Sequence, residues 1–346
     1  MTSLQSLLGI DLPIIQAPMA GFQGSALAIA VSNAGGLGSL PCAMLGIDAM
    51  RAELRAITAN TPKPFNVNFF CHTQPKVDAA RETAWRAKLA PFYRELDLDP
   101  DAVPAGPGRR PFGAEAAEVL SEFRPAVVSF HFGLPSDELL ARVRARGAKI
   151  FSSATTVEEA RWLDAHGVDA IIAQGFEAGG HRGMFLSDDL TTQVGTLALV
   201  PQIIDAVKVP VIAAGGIADA NGVAAALKLG AAVVQIGTAY LLCPEATTTA
   251  VHRAALKSED ARHTALTNVF TGRPARGIMN RLMRVLGPIS DTAPSFPLAT
   301  AAIAPLRAEA EKRGSGDFSP LWSGQNNSGC KEIAAAQLTR ELAAKL

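Results

Sequence analysis

Aromatic residues make up only 6% of this 346-residue chain, with two tyrosines and three tryptophans. The hydrophobic share is nevertheless 48% and is dominated by Ala, Gly, Val, Leu and Ile. That excludes a disordered chain and suits short buried strands alternating with Ala-rich helices. Cysteine is also scarce: Cys42, Cys71, Cys243 and Cys330 stand far apart, with no C-x-x-C pair and no Cys/His cluster at metal spacing. A disulfide framework and a zinc site are therefore excluded, and free thiols in a reduced compartment are expected. Net charge is absent too, since 32 basic residues balance 32 acidic ones. No overall field draws this protein to nucleic acid or to an anionic membrane, so an anionic ligand must be held by local groups. No run of eighteen apolar residues occurs, and "MTSLQSLLGIDLP" lacks a basic signal-peptide start. The expectation is a soluble, cytoplasmic protein without a membrane partner.

What the chain does have is repetition. Eight short apolar runs are strand candidates: "PIIQAPM", "LGSLP", "PFNVNFFC", "AVVSFHFG", "AKIFSSAT", "DAIIAQG", "VPVIAAGGI" and "AAVVQIGTAY". Helical stretches such as "SDELLARVRARG", "TVEEARWLDAHG" and "NGVAAALKLG" lie between them, opening on Ser, Thr or Asn and closing on Gly as helix caps require. Near-continuous apolar strands imply burial on both faces, and eight strand-helix units favour an α/β fold of the (β/α)8 TIM-barrel type. Residues 1–243 should form the barrel, interrupted at about 72–118 by a rim insertion after the third strand. That insertion holds a charged helix and the turn "DPDAVPAGPGRRPFG". Residues 244–346 read as a mostly helical extension that covers the active face.

Functional groups of such a barrel gather at the carboxyl ends of its strands. "AAGGI" and "QIGT", after strands seven and eight, form the best phosphate cradle, because Gly215, Gly216 and Gly237 let backbone N–H groups approach an anion. The same glycines would also serve simply to close tight turns. No G-x-G-x-x-G fingerprint follows any strand, which argues against a Rossmann dinucleotide site. Gln16, Asn68 and Gln174, amides at three strand ends, could bond the edge of a flat heterocycle. Of six histidines, His166 suits a helix end, and His252 and His263 read as surface residues. His72 and His131 lie at strand ends and are either structural or ligand contacts. His181 differs, because the loop "AQGFEAGGHRGMF" places small residues before it that let the chain pass close over a flat ligand. A neutral imidazole there suits general-base work. Four arginines in "FTGRPARGIMNRLMR" either attract an anionic substrate or form a solvated helix face. No metal-ligand pattern and no G-x-S-x-G elbow is present.

In order along the chain, "PIIQAPMAG", "AVSNAGGLGSL", "PFNVNFF", "VVSFHFG", "SSATTVEEAR", "AIIAQGFEAGGHRG", "VPVIAAGGIAD", "VQIGTAYL" and "FTGRPARGIMNR" resemble the class I nitronate monooxygenases, formerly called 2-nitropropane dioxygenases. The resemblance runs from about residue 10 to about residue 325. It implies FMN bound noncovalently, O2 as oxidant and an alkyl nitronate such as propionate 3-nitronate as substrate. The products it implies are a carbonyl compound and nitrite or nitrate. Carried over by position, it makes His181 the catalytic base, brings Ala17, Pro18 and Met19 to the flavin ring and sets Asn68 and Gln174 at the ring's edge. It further implies that Gly179 and Gly180 line the ring, while Gly216, Gln235, Ile236, Gly237 and Thr238 hold the ribityl phosphate. His131 is a further candidate contact to cofactor or substrate. The chain departs from the tyrosine-rich substrate pocket of family members that use propionate 3-nitronate, having only Tyr93 and Tyr240. "SFPLATAAIAP" is then a candidate for a pocket wall of smaller, apolar groups. Two alternatives stay open, an NAD(P)H-dependent FMN reductase of the same superfamily (enoyl-acyl-carrier-protein or quinone reductase) and a flavin-free barrel that binds a phosphorylated metabolite.

Overall fold

In the computed structural model, which describes residues 4–103 and 109–346, each of the eight apolar runs contains a strand. These are β1 (Ile14–Gln16), β2 (Gly38–Pro41), β3 (Phe65–Phe70), β4 (Val127–His131), β5 (Lys149–Ala154), β6 (Ala170–Gln174), β7 (Val211–Ala214) and β8 (Val233–Ile236). They pair in parallel in chain order, and β8 returns to β1 with Ile14 opposite Val234. The seam between β1 and β2 is closed by Gln16 N donating to Leu37 O (3.0 Å) and Leu37 N donating to Ile14 O (2.9 Å). The sheet is thus a closed barrel, the α/β TIM-barrel architecture.

The period of two along each strand divides the core. Val128, Phe130, Ile171 and Ala173 pack with helix residues such as Leu140, Leu163 and Leu199 on the outside of the barrel. Their neighbours Val127, Phe151, Ile172, Ile212 and Val233 form the inner layer, together with Leu4 and Leu8 of the first helix. Farther along the strands the inward positions turn polar, with Ser129, Ser153, Gln174 and Gln235. A dry floor under a polar ceiling is what makes the carboxyl-end mouth the place for a ligand.

Two of the surrounding helices are capped as their sequences suggest, Ser136 accepting from Leu139 N and Thr156 from Glu159 N, whereas the third is capped two residues before the expected Asn221, with Asp219 accepting from Gly222 N. Helix Ala114–Phe123 packs in the outer ring between Ile47–Asn60 and Asp137–Arg144. The rim insertion therefore ends near residue 113 rather than 118. Its helix Ala79–Glu95 buries Trp85, Leu89, Phe92 and Tyr93 against Phe270, Met283, Ile303 and Leu306, in a second core shared with the C-terminal region. Part of the turn in "DPDAVPAGPGRRPFG", residues 104–108, lies outside the described residues.

The C-terminal region holds helices Ala250–Lys257, Arg281–Leu286, Thr300–Lys312 and Ala335–Leu342, and also two strands that its composition did not announce. Thr264–Thr267 pairs antiparallel with Ala275–Ile278, which in turn pairs with Gly180–His181, so that Ala275 lies opposite His181. Among the described residues no helix is long and apolar enough to cross a membrane.

Candidate active site

The carboxyl-end mouth opens into a cleft of about 1240 Å³, part of it open to solvent. Ala17, Pro18, Met19, Asn68, His131, Gln174, Gly179, Gly180, His181, Gly215, Gly216, Gln235, Gly237 and Thr238 all line it. Segments from both halves of the sequence thus converge on one cavity. Ile236 does not line it. Strand alternation turns its side chain outward into the helix-facing core, while Gln235 points in. Gln16 is absent from the lining as well, because its amide is spent inside the wall. Its Nε2 donates to Gln23 Oε1 (2.6 Å), and its Oε1 accepts from Ser39 N (3.0 Å).

The loop after β6 is held by buried side chains. Gln174 Nε2 donates to the His181 carbonyl (2.9 Å), and Gln174 Oε1 accepts from Gly183 N (2.7 Å). Arg182 is fully buried and donates to the carbonyls of Gly175 (2.7 Å) and Gln174 (2.8 Å) and to Gln193 Oε1 (2.9 Å). Glu159, also buried, accepts from Thr155 N (2.7 Å) and Phe185 N (2.5 Å). From the other side Arg273 donates to Met184 O and lies over the Phe132 ring at 4.1 Å, and Arg276 donates to Phe176 O (3.1 Å). Neither sequence reading of the arginine-rich segment describes these two residues. They are clamps on the His181 loop, Arg276 buried and Arg273 half-buried, because strand Ala275–Ile278 pairs with it. Arg281 instead pairs with Glu95 on the insertion helix, and Arg284 is exposed.

The His181 ring sits among Phe296 (5.3 Å between centroids), Trp322 (5.6 Å), Phe70 (6.0 Å) and Phe132 (6.0 Å). Its Nε2 lies 2.9 Å from Thr271 Oγ1. Burial, reinforced by Arg109, His131, Arg273 and His72, holds this imidazole well below its ordinary value and so keeps it neutral. His131 is similarly pushed down to about 4, chiefly by burial. Its Nε2 faces the His181 carbonyl (3.1 Å), which can only accept, so Nε2 carries the proton and Nδ1 accepts from Ser153 Oγ (3.0 Å).

His72 does not line the cleft. It is buried and donates from Nε2 to the Arg109 carbonyl (3.0 Å), anchoring the end of the insertion. Through that anchor the insertion delivers Arg109 to the cleft, where among the described residues it is the one charged lining residue and no carboxylate faces it. Arg109 lies over the Phe296 ring (5.4 Å) and is lowered to about 10, mainly by burial. Met44, Phe22, Trp322, Gly324 and Asn326 are further lining residues that sequence reasoning did not single out. A basic residue in a Pro/Gly-rich turn was the available signal for Arg109.

Burial and packing bear on the remaining expectations. Neither tyrosine reaches the cleft, for Tyr93 donates to Ala302 O (2.8 Å) in the second core and Tyr240 is buried beside Thr339 (2.9 Å). Of "SFPLATAAIAP", Phe296 stands beside His181, but the segment contributes no residue to the cleft lining, and Ala302 and Ile303 pack into the second core. His252, expected at the surface, is buried with its ring edge-on to Phe22 (5.0 Å) and its Nε2 donating to Trp322 O (3.1 Å). His263 is exposed, and His166 ends its helix with Nδ1 2.7 Å from Trp162 O, as expected.

A closed (β/α)8 barrel with a glycine-walled cleft at its strand ends, lined by no carboxylate among the described residues, and a neutral histidine over that cleft defines a class of ligand-binding barrel enzymes. Known proteins narrow it. The sequence model described as nitronate monooxygenase matches residues 1–345. A nitronate monooxygenase of Pseudomonas aeruginosa is 44% identical over 349 aligned positions, covering 98% of this chain and 97% of its own. In fold, nitroalkane oxidase from Streptomyces ansochromogenes matches with a TM-score of 0.91 at 39% identity, over all of this chain and 98% of the other. FabK from Thermotoga maritima matches with 0.74 at 26% identity, over all of this chain and 96% of the other. The chain belongs to the nitronate monooxygenase family and is an oxidoreductase.

Proposed function

We propose that this protein binds FMN in the cleft and oxidises alkyl nitronates with O2 to a carbonyl compound plus nitrite or nitrate, with His181 acting as base when the substrate arrives as a neutral nitroalkane. The observation that carries the reading is a neutral imidazole clamped over a cleft whose only charged lining residue, among the described residues, is cationic.

The residues present fit the cofactor. Gln235 Oε1 is a buried acceptor without a hydrogen-bond partner among the described residues, suited to a ligand hydroxyl or ring N–H. Gly180 sits at φ +70°, and a Cβ built there would meet no protein atom within 4 Å, so that space is left for a ligand. Gly215, Gly216 and Gly237 would hold the phosphate end through backbone N–H groups. Ala17, Pro18, Met19, Asn68, Gly179 and Gly180 would flank the ring, with Gln174 keeping the loop in place beside it. Bound there, FMN would supply the redox chemistry, taking electrons from the substrate carbon and passing them to O2.

The protein's own part is binding and proton transfer. Arg109 draws an anionic nitronate into a cleft where no carboxylate of the described residues faces it. Phe70, Phe132, Phe296 and Trp322 shield the imidazole from water. His181, neutral at physiological pH, accepts the acidic proton next to a nitro group without first having to lose one of its own. Residues 244–346 and the rim insertion act as a cap on the barrel of residues 1–243.

Purified protein should show a flavin absorption spectrum and consume O2 on addition of a nitronate. A colourless protein that binds no added FMN favours the phosphometabolite barrel. Rapid anaerobic bleaching by NADH or NADPH favours the reductase.

A further inference from the structure

The described residues offer His181 Nε2 one polar partner, the Thr271 hydroxyl at 2.9 Å, on a residue that is itself 2% exposed. The Thr271 hydroxyl has in turn one further acceptor, the Arg273 carbonyl at 3.4 Å. Nδ1 of His181 has no protein hydrogen bond among the described residues, yet it is not sealed among the buried orphan atoms. It is the ring nitrogen open to the cleft.

Two proton arrangements are possible for this neutral ring. If the hydroxyl donates to Nε2, one hydrogen bond forms, the Arg273 carbonyl loses its donor, and the proton sits on Nδ1 facing the substrate. If Nε2–H donates to the hydroxyl, the hydroxyl donates on to the Arg273 carbonyl, and two bonds form in an unbroken chain. Buried polar groups favour the arrangement that leaves fewer of them unpaired. From this count we infer that Thr271 is the positioning residue that fixes His181 as the Nε2–H tautomer, leaving Nδ1 as the bare nitrogen that takes the substrate proton.

A base oriented by a third group is a common catalytic device. Here the orienting group is a neutral hydroxyl, with no carboxylate at Nε2. The chain ends on a carbonyl of "FTGRPARG", which is why that block and the His181 loop interlock. The tautomer itself stands on the hydrogen-bond geometry, and the catalytic consequence rests on the proposed role of His181 as base.

The experiment is long-range 1H–15N correlation NMR on histidine-labelled holoprotein at neutral pH, assigned with His181→Asn. The expected spectrum shows a protonated Nε2 and an unprotonated Nδ1 for His181. A protonated Nδ1 in the wild type overturns the inference. Thr271→Val should shift the His181 signals towards the other tautomer and lower kcat/KM for a neutral nitroalkane roughly 10- to 100-fold, less than loss of the base itself, which is worth about 10²- to 10⁴-fold. A nitronate supplied as the anion should lose less than about 3-fold, since it needs no proton removed. Thr271→Ser, which keeps the hydroxyl, should restore both the spectrum and the rate, and a serine enzyme as impaired as the valine enzyme overturns the inference. If the wild-type spectrum is as expected but His181→Asn turns over neutral nitroalkanes normally, the base reading fails while the tautomer assignment stands.

Discussion

At one end of the cleft, where residues 215–217 follow β7 and 237–238 follow β8, the wall is mostly main chain. Glycines keep it open, and helices begin just behind it. At the other end, around His181, the wall is side chains: the rings of Phe70 and Trp322, with Phe132 and Phe296 packed around the imidazole behind them, Arg109 from the insertion, and a loop tied down by Arg182, Glu159, Arg273 and Arg276. On the proposed function, the first end would recognise by shape and backbone dipole, which suits a constant group such as a phosphate. The second would recognise by charge and proton affinity, which suits the reacting molecule. Substitutions at the two ends should therefore fail differently.

The largest effect is expected at the side-chain end. His181→Asn should lower kcat/KM for neutral nitroalkanes by about 10² to 10⁴ while the flavin stays bound, because general-base catalysis contributes on that order. Because His181 lies well below its ordinary value, the wild-type rate should show no inflection near 6.5 as pH falls. An inflection there, or a colourless variant, would break the division between the two ends.

Acid should next weaken the side-chain end. His252, which donates to Trp322 O, is lowered from 6.5 to about 4 by burial. Its unfolded form binds a proton that its folded form refuses, so its contribution is fully present above pH 6.5 and is lost as pH falls towards 4. The loss amounts to about 3 kcal/mol. Urea unfolding at pH 7 and at pH 4.5 should show His252→Gln losing less stability across that window than the wild type. Equal losses would remove His252 as the cause.

At the backbone end, Gly216→Ala places a Cβ at φ +71° and 3.4 Å from Glu177 Cβ. The left-handed conformation costs about 1 to 2 kcal/mol. Thermal melts should record that loss, and FMN retention through gel filtration should fall, while any protein that keeps its flavin turns over normally. A variant that keeps its flavin but loses turnover would place chemistry at the wrong end.

These ends also differ in how far the sequence announced them. Strand period, glycine punctuation and cap residues are local signals, so all eight strands and the Gly215, Gly216 and Gly237 turns could be read directly. Asn68, Gln174 and His181 could be placed at strand ends for the same reason. What sequence missed depends on partners distant in the chain. Arg109 reaches the cleft only because His72 and Gln74 hold its carbonyl, and Arg276 is buried only because its strand pairs with Gly180–His181. His252 lay hidden in an amphipathic helix whose covering residue, Trp322, comes 70 positions later. Ile236 was misplaced by one residue of alternation, a distinction that requires the observed strand register.

The smallest effect concerns Arg109, and it tests whether the side-chain end selects charge as well as performing chemistry. The guanidinium is partly solvated and can be screened, so its attraction for an anion is modest. Arg109→Gln should raise KM for an anionic nitronate roughly 3- to 10-fold, on the order of 1 kcal/mol. It should leave kcat near normal and KM for a neutral nitroalkane unchanged. The wild-type KM for the anion should rise with added salt, and the variant's should rise less. Equal changes in KM for the neutral and anionic substrates would show that Arg109 shapes the cleft through its packing on Phe296, and the contrast between the two ends would then be one of shape alone.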